Sequence, residues 1–200
     1  MALMVLLLFL LVAVVGRIAM QYRISGDHGI RPVKKTSTKI AIISSSLLIV
    51  SFISIFILTV LDITGMLKPF IEHNQLTTIA GIVISLTGIT LTVTSQYQMG
   101  KAWRIGVDES EKTELVTNGI YSLIRNPIYS GVFIFGFGLL VLFPNPYMLI
   151  SLAIAYFSIE IHVRYVEEPY LLRLHGEAFK EYVNKSGRYL PNFNHEPKKP

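Results

Sequence analysis

The chain has 200 residues, of which 52% are hydrophobic and only 16% are charged, whereas soluble domains carry about 25% charged residues. It contains no cysteine, which excludes disulfides, cysteine metal sites and a thiol nucleophile within the chain. The net charge of +5 fits either nucleic-acid binding or the cytoplasmic side of a membrane protein, and the long apolar segments favour the membrane. We therefore expect an all-α integral membrane protein, with lipid as its environment and with neither nucleic acid nor metal as a partner.

Three uncharged segments lie in the N-terminal half of the chain. They cover residues 1–15, 40–61 and 74–100, and the first continues past Arg17 to about Met20. Because a membrane-spanning helix needs about 20 apolar residues, all three qualify. The first lacks the basic start and the small-residue cleavage site of a signal peptide, so we interpret it as a retained helix.

A fourth apolar stretch is divided in two. Residues 128–143 and 147–161 are separated by Pro-Asn-Pro, a sequence that ends one helix and starts another. Each part is close to the lower limit of about 17 residues for a span. The pair is either two tilted spans or a re-entrant hairpin, and both choices leave its ends on one side. We expect five transmembrane helices, the last two forming a proline-containing hairpin over 127–162.

The basic residues predict an orientation. With these spans, 17 of the 18 lysines and arginines fall on one side and only Lys68 falls on the other. Since cytoplasmic loops are enriched in Lys and Arg, the N-terminus is expected outside and the C-terminus inside, in the cell membrane if the source is prokaryotic. Residues 1–100 would form three helices and a basic loop. Residues 101–200 would form a catalytic region with a cofactor loop, the hairpin and a short cytoplasmic helix.

The third segment carries small and polar residues at helical spacing. Gly81 and Ser85 form a small-xxx-small pair that is typical of close helix packing. Thr87, Thr90, Thr94 and Gln98 share another face. That face either packs against a neighbouring helix or lines a pocket at its Thr94–Gln98 end.

The stretch GIYSLIRNPIYSG, residues 119–131, precedes the fourth apolar stretch. Proline disfavours helical geometry at Asn126 and itself suits the first position of a helix, so a helix is predicted to begin at Pro127. Its first turn would offer free N–H groups to a carboxylate or phosphate, beside Tyr121 and Tyr129. On residue types alone, an interfacial aromatic belt explains this stretch equally well.

The other end of the hairpin reads IEIHVRYVEEPY, residues 159–170. Glu160, Arg164 and Glu168 are spaced four apart, as in a ladder of ion pairs. Glu167 is off this ladder, and a carboxylate at this depth needs a cation. If the hairpin is closed, Asn126, Tyr129 and Glu167 meet in a pocket that suits a zwitterionic ligand with an aromatic base.

Two motifs now indicate a family. LVTNGIYSLIRNPIYSG (115–131) and EEPYLLRLHGEAFKEYVNKSGRYLPNF (167–193) resemble the integral-membrane methyltransferases of the isoprenylcysteine carboxyl methyltransferase type, and phospholipid N-methyltransferases share a related pattern. The resemblance covers residues 114–193 and implies methyl transfer from S-adenosylmethionine to the carboxylate of an isoprenylated cysteine. The cofactor contacts that it implies are Thr113, Glu114, Leu115, Val116, Tyr121, Asn126, Pro127, Ile128, Tyr129 and Glu167.

The chain departs from the family pattern at two positions. Asn126 stands where the family has histidine, and it cannot titrate, so proton transfer at this position is excluded. Val163 stands where the family has a substrate-binding arginine, with Arg164 next to it. We expect Arg164 or Arg104 to hold the acceptor carboxylate, with the position of Val163 as a further substrate contact.

The chemistry leaves alternatives open. A sulfonium donor releases a neutral thioether, and a carboxylate acceptor is already ionised, so this reaction depends on positioning and on removing water. A lipid amine acceptor would instead require a base, for which His162 and Glu168 are candidates. A nicotinamide-dependent sterol-type reductase and a non-enzymatic membrane protein are the remaining alternatives.

Overall fold

The computed structural model describes residues 1–31, 38–71, 74–106 and 112–192. Six helices make up most of it: α1 (Ala2–Ser25), α2 (Lys39–Ile63), α3 (Gln75–Met99), α4 (Pro127–Leu142), α5 (Pro146–His175) and α6 (Glu177–Lys185). Within these ranges no strand is present, and the only strand-like pairings are the isolated bridges Ile30–Ile105 and Ile124–Gly187. The all-helical prediction is confirmed.

Four of the helices are long and apolar enough to cross a membrane: α1, α2, α3 and α5. Helix α4 is also apolar but has only 16 residues, which at about 1.5 Å per residue gives roughly 24 Å, less than the hydrocarbon thickness of about 30 Å. The chain is thus a multi-pass membrane protein, and α4 is its one short apolar helix among the described residues.

The helix boundaries follow from local chemistry. Asn74 caps α3 by accepting from the Thr77 N–H at 2.9 Å, and Thr77 bonds back to the Asn74 N–H. Pro127 and Pro146 occupy the first turns of α4 and α5. Asn145 accepts from the Tyr147 N–H at 2.9 Å. The predicted helix break at Pro-Asn-Pro is therefore confirmed.

Helices α3 and α4 approach closely through glycine. A Cβ added to Gly88 would lie 2.7 Å from the Gly131 carbonyl oxygen, and one added to Gly131 would lie 2.8 Å from that of Gly88. Gly81 and Ser85 are buried along the same seam, as their spacing predicts. Such contact between small residues is the usual basis of packing in membranes, where hydrophobicity does not drive helices together.

The threonine face of α3 is directed elsewhere. Thr87, Thr90 and Thr94 are exposed, and the hydroxyls of Thr87 and Thr90 bond to carbonyls of their own helix at 2.9 and 2.8 Å. The packing role considered for this face is therefore wrong for these three residues. Gln98 differs, because its Oε1 accepts from the Ile120 N–H at 2.8 Å.

Helices α4 and α5 are mainly packed on different partners. Helix α4 lies along α3, and α5 lies along α2, where Ser54 Oγ and Ser151 Oγ are 2.8 Å apart. Phe9 of α1 stacks on Phe135 of α4 with ring centroids 4.2 Å apart. The two helices of the predicted hairpin thus diverge along much of their length, since the glycines of α4 offer α3 the closer approach.

The polar groups gather at one end of the bundle. At that end, Ser44 near the start of α2 contacts His162 of α5, and Gln96 near the end of α3 donates to the Ala13 carbonyl of α1 at 2.9 Å. At the opposite end, the Asn145 side chain donates to the Lys68 carbonyl at 3.2 Å. The start of α4 and the far part of α5 both belong to the first end, which holds both family motifs.

Candidate active site

The C-terminal segment clasps the Asn-Pro motif. The Gly187 N–H donates to the Leu123 carbonyl at 2.9 Å, the Arg125 N–H donates to the Gly187 carbonyl at 2.7 Å, and the Asn126 N–H donates to the Arg188 carbonyl at 3.0 Å. The Arg125 guanidinium also donates to the Val183 and Ser186 carbonyls at the end of α6. The backbone before α4 is therefore fixed by residues about 60 positions later in the chain.

Helix α4 begins at Pro127, as predicted. Asn126 has an extended φ of −123° and ψ of 57°, and its carbonyl accepts from the Ser130 N–H at 3.1 Å. The first-turn N–H groups of a helix lack intrahelical acceptors and form the positive end of its dipole. In α4 this positive end lies at the end of the bundle that holds Glu167, which bonds to Tyr129 of the same turn.

Glu167 lies beside the first turn of α4. The Tyr129 hydroxyl donates to Glu167 Oε1 at 2.6 Å, and His162 Nε2 is 3.8 Å from the same oxygen. On its other side, His162 Nδ1 is 3.0 Å from Ser44 Oγ of α2. The predicted proximity of Tyr129 and Glu167 is confirmed, and His162 with Ser44 extends the group, here named the Glu167 cluster.

A π-helical turn over Val163–Glu167 brings His162 and Glu167 to one face. The Glu168 N–H bonds to the Val163 carbonyl, five residues back, as in a π-helix. In a regular α-helix, side chains five residues apart would be rotated by about 140° from each other. The wider turn removes most of that rotation, and such turns are frequent at functional sites.

The other two carboxylates of α5 are held by arginine. Arg188 donates to Glu168 through Nε at 2.9 Å and Nη2 at 2.8 Å, and to Glu160 through Nη1 at 3.0 Å. Arg125 lies 3.4 Å from Glu168. Of the predicted ladder, the Glu160–Arg164 pair forms at 2.8 Å, whereas Glu168 takes its arginines from outside the helix. The hydrogen bond to Glu168 raises the pKa of Arg188, which therefore stays charged.

An apolar cavity of 310 Å³ separates α4 from α5. Its lining includes Phe52, Val132, Gly136, Leu152, Tyr156 and Ile159. Val132 and Ile159 lie one helical turn from Tyr129 and His162 respectively. The cavity therefore begins about one turn below the Glu167 cluster and continues between the helices.

The remaining cofactor residues predicted from the motifs differ in their burial. Thr113, Leu115 and Val116 are partly buried in an irregular segment, and Glu114 is exposed. Tyr121 is buried, and its hydroxyl donates to the Ser95 carbonyl at 3.1 Å. Burial raises the pKa of Tyr121. Pro127 is buried and Ile128 is partly buried. The last residue of the motif, Phe193, lies outside the described residues.

The predicted substrate residues are arranged differently from the expectation. Val163 has no exposed surface, so it offers none to an acceptor in this structure. The Arg164 side chain is 52% exposed and pairs with Glu160. Since one residue along a helix corresponds to a rotation of about 100°, Arg164 does not face the direction that Val163 faces. Arg104 lies after α3, next to Ile105, whose backbone pairs with Gly29 and Arg31. None of the three belongs to the Glu167 cluster.

Sequence reasoning missed the role of the C-terminal segment. Arg188 was visible in the tail of the second motif, SGRYLP, but nothing in its spacing ties it to Glu160 and Glu168. Tyr189 donates to Glu160 Oε2 at 2.9 Å. The role of Ser44 could not be predicted either, because it is one of three consecutive serines near the start of α2.

Known proteins are similar to this chain in sequence. The phospholipid methyltransferase family matches residues 76–178. A probable protein-S-isoprenylcysteine O-methyltransferase of Oryza sativa subsp. japonica is 27% identical over 82% of this chain and 84% of its own. Protein-S-isoprenylcysteine O-methyltransferase B of Arabidopsis thaliana is 28% identical over 57% and 59%. The protein-S-isoprenylcysteine O-methyltransferase of Xenopus laevis is 31% identical over 62% and 43%.

A solved structure has the same fold. The structure of a eukaryotic intramembrane Ras methyltransferase, isoprenylcysteine carboxyl methyltransferase, superposes with a TM-score of 0.56 at 18% identity, over 94% of this chain and 72% of that one. The family match covers just over half of the chain, and the resemblance predicted from the two motifs is confirmed. The chain belongs to the phospholipid methyltransferase family and is a multi-pass membrane methyltransferase similar to the isoprenylcysteine carboxyl methyltransferases.

Proposed function

We propose that this protein transfers the methyl group of S-adenosylmethionine to the C-terminal carboxylate of an isoprenylated cysteine. The observation that carries the proposal is the position of the Glu167 cluster directly above the apolar cavity between α4 and α5. One substrate of this reaction is a water-soluble zwitterion and the other has a lipid tail. A polar cluster adjoining an apolar cavity provides a place for each.

The charges of the site suit the cofactor. Glu160 and Glu168 are neutralised by arginine, whereas Glu167 is 22% exposed and has Tyr129 and His162 as its partners. Its negative charge fits the cofactor's ammonium group. The N–H groups at the start of α4 fit its carboxylate. We propose that residues 113–116 and Tyr121 also contact the cofactor, as the resemblance implies.

The cavity suits an isoprenyl chain. Its volume of 310 Å³ falls at the lower end of the range of roughly 300–1,000 Å³ for small-molecule sites, and its lining is apolar and aromatic. A tail between α4 and α5 would place its cysteine carboxylate near Tyr129 and His162. S-Adenosylmethionine supplies an electrophilic methyl group: the carboxylate oxygen forms the new O–C bond as the S–C bond breaks. The chain's part is to align the two reactants and exclude water.

We propose five crossings, with the N-terminus outside and the Glu167 cluster at the cytoplasmic face. The division of 17 basic residues against one supports this orientation. Contacts at opposite ends of the bundle support the crossing number, because Ser44 of α2 meets His162 of α5 at one end and Asn145 meets Lys68 at the other. Helix α4 is then a short crossing. The cofactor would then enter from the cytosol and the lipid from the bilayer.

A lipid amine is the second candidate acceptor, favoured by the position of His162 beside Glu167, since an amine must lose a proton to react. The test uses purified protein in lipid nanodiscs and S-adenosylmethionine labelled in its methyl group. Base-labile methyl ester on a farnesylated cysteine is the expected product. Methylation of phosphatidylethanolamine alone would favour the amine, and label on neither lipid, with the protein folded, would overturn both.

A further inference from the structure

The tautomer of His162 follows from its neighbours. Ser44 Oγ lies 2.8 Å from the Ile40 carbonyl and 3.2 Å from the Ala41 carbonyl. A hydroxyl has one hydrogen, and here a backbone carbonyl takes it. Ser44 Oγ therefore accepts from His162 Nδ1–H at 3.0 Å. In the neutral ring this assignment leaves a lone pair on Nε2.

That lone pair faces another acceptor. His162 Nε2 is 3.8 Å from Glu167 Oε1, which already accepts from the Tyr129 hydroxyl. Two acceptors cannot bond to each other. The arrangement is satisfied when a group with several N–H donors bridges them, or when the ring takes a proton of its own and pairs with Glu167.

The surroundings of His162 and Glu167 favour a bound cation between them over a direct pair of protonated His162 with Glu167. The side chains of His162 and Glu167 are only 13% and 22% exposed. The groups that contact them are Ser44 from α2 and Tyr129 from α4. Tyr121 and Tyr189 also lie close enough to interact with the charge of Glu167, and none of these four groups carries a charge near neutral pH. The nearby Glu160 and Glu168 are already paired with Arg188. With neutral His162, the Glu167 cluster itself therefore carries one negative charge and has no cation among its four members.

We propose that Glu167 and neutral His162 together form an alkylammonium site, each accepting one N–H of the ligand. The inference rests on the proposed function and extends it by naming a second acceptor and its protonation state. The ammonium comes either from the amino group of S-adenosylmethionine or from the headgroup amine of a lipid acceptor. In both cases protonation of His162 closes the site, because the imidazolium pairs with Glu167 and repels the ligand.

The test measures binding of S-adenosylhomocysteine, the demethylated product, by calorimetry between about pH 5 and 8. The wild-type protein is expected to lose affinity as the pH falls, with a limiting slope of about tenfold per pH unit for one linked proton. His162→Gln should abolish this slope and bind several-fold more weakly at pH 8. His28→Gln is the matched control, because His28 is an exposed histidine stacked on Tyr22, and it should keep the wild-type profile.

Two further arms distinguish the source of the ammonium. An S-adenosylhomocysteine analogue lacking the amino group should bind without the His162-dependent slope if the cofactor supplies the cation. If the cofactor's profile is flat and the binding of phosphatidylethanolamine in nanodiscs shows the slope instead, the lipid supplies the ammonium.

A slope that His162→Gln leaves unchanged, or flat profiles for both ligands, overturns the inference. Absence of cofactor binding at every pH overturns the proposed function instead. If His162→Gln does not fold, the wild-type comparison with the analogue still decides.

Discussion

Arg188 and Glu168 form a two-pronged ion pair, Nε to Oε1 at 2.9 Å and Nη2 to Oε2 at 2.8 Å. This pair joins the C-terminal segment to α5, and the third nitrogen of the same guanidinium reaches Glu160. Parallel bonds of this kind are among the stronger polar contacts in proteins. Glu168 is thus a structural carboxylate, although it is adjacent in sequence to Glu167, whose partners are Tyr129 and His162.

The two neighbouring glutamates should therefore respond differently to the same substitution. Glu167→Gln should weaken binding of S-adenosylhomocysteine by roughly tenfold to a hundredfold, because it removes a charge-assisted hydrogen bond of about 1.5–3 kcal/mol. Its Tm should stay close to that of the wild type. Glu168→Gln should lower the Tm and leave affinity largely intact. Calorimetry and thermal unfolding of both variants check this prediction. Equal losses of affinity in the two variants would mean that Glu167 is not the glutamate that distinguishes the cofactor site.

Arg188 should matter far more for stability than Arg164. Arg188→Gln leaves two partly buried carboxylates without their shared cation, at a cost of about 1.5–3 kcal/mol for each charged hydrogen bond lost. Arg164→Gln is the control, since its side chain is 52% exposed and such pairs contribute about 0–1 kcal/mol. Thermal unfolding in detergent measures both.

A double-mutant cycle tests the Arg188 pair itself. Arg188→Gln combined with Glu168→Gln should cost less than the sum of the two single changes, because the second change removes the carboxylate that the first deprives of its two-pronged partner. Strict additivity would contradict the pairing seen in the structure.

The glycine seam between α3 and α4 predicts a sharp contrast between adjacent residues. Gly88→Ala should destabilise the protein by about 1–3 kcal/mol, since the added Cβ would press on the backbone of α4, which cannot move aside as a side chain can. Thr87→Ala, one residue earlier on the exposed face, should change stability by less than about 0.5 kcal/mol. Thermal unfolding compares the two, and a similar Tm for both variants would place the seam elsewhere.

Much of the fold could be predicted from residues that act locally. Proline and asparagine set the boundaries of α4 and α5, and the spacing of Gly81 and Ser85 indicated close packing. The divergence of α4 from α5 could not be predicted, because in a membrane an apolar side chain can face lipid as well as protein. The exposed Thr87 and Thr90 show the same ambiguity for small polar residues.

The site was predictable where the chain brings its parts together in sequence order. Tyr129 lies in the first turn of α4 and Glu167 in the later part of α5, and consecutive antiparallel helices bring these two positions to the same end of the bundle. Arg188 reaches Glu160 and Glu168 through a tail whose path no periodicity encodes. The π-helical turn likewise places His162 beside Glu167, a neighbour that the spacing of a regular helix did not predict.

Alkaline pH should loosen α6 from the motif. The Tyr182 hydroxyl donates to the Tyr121 carbonyl at 2.7 Å, and burial raises the pKa of Tyr182 to about 12 from an ordinary 10.0. The folded state therefore holds this proton more tightly than the unfolded state. The resulting stability is fully present below about pH 10 and is lost as the pH rises through 12. Buried Tyr121 and partly buried Tyr189, whose pKa values are also raised by burial, act in the same direction.

The measurement is the Tm of wild type and Tyr182→Phe from pH 8 to about pH 11, within reach of tyrosine titration. The variant should be less stable at pH 8, by about 0.5–1.5 kcal/mol for one lost hydrogen bond, and should lose less stability as the pH rises. Tyr97→Phe, at a residue that is 68% exposed, should behave as wild type. If the Tm of Tyr182→Phe and the Tm of wild type fell in parallel with rising pH, the pKa of this hydroxyl would not differ between the folded and unfolded states.

The cavity between α4 and α5 predicts a selective loss of acceptor binding. Ala155 is buried in its lining, and Ala155→Phe would place a ring where we propose that the isoprenyl chain lies. The KM for a farnesylated cysteine should rise at least tenfold, because each methylene excluded from apolar surroundings costs about 0.8 kcal/mol. The Kd for S-adenosylhomocysteine should stay unchanged, since the Glu167 cluster lies a turn away. Thr90→Phe adds the same ring to the exposed face of α3 and should leave both constants as in wild type. A rise in the cofactor Kd that matched the rise in KM would mean that the cavity supports the fold of the site and does not itself receive the acceptor.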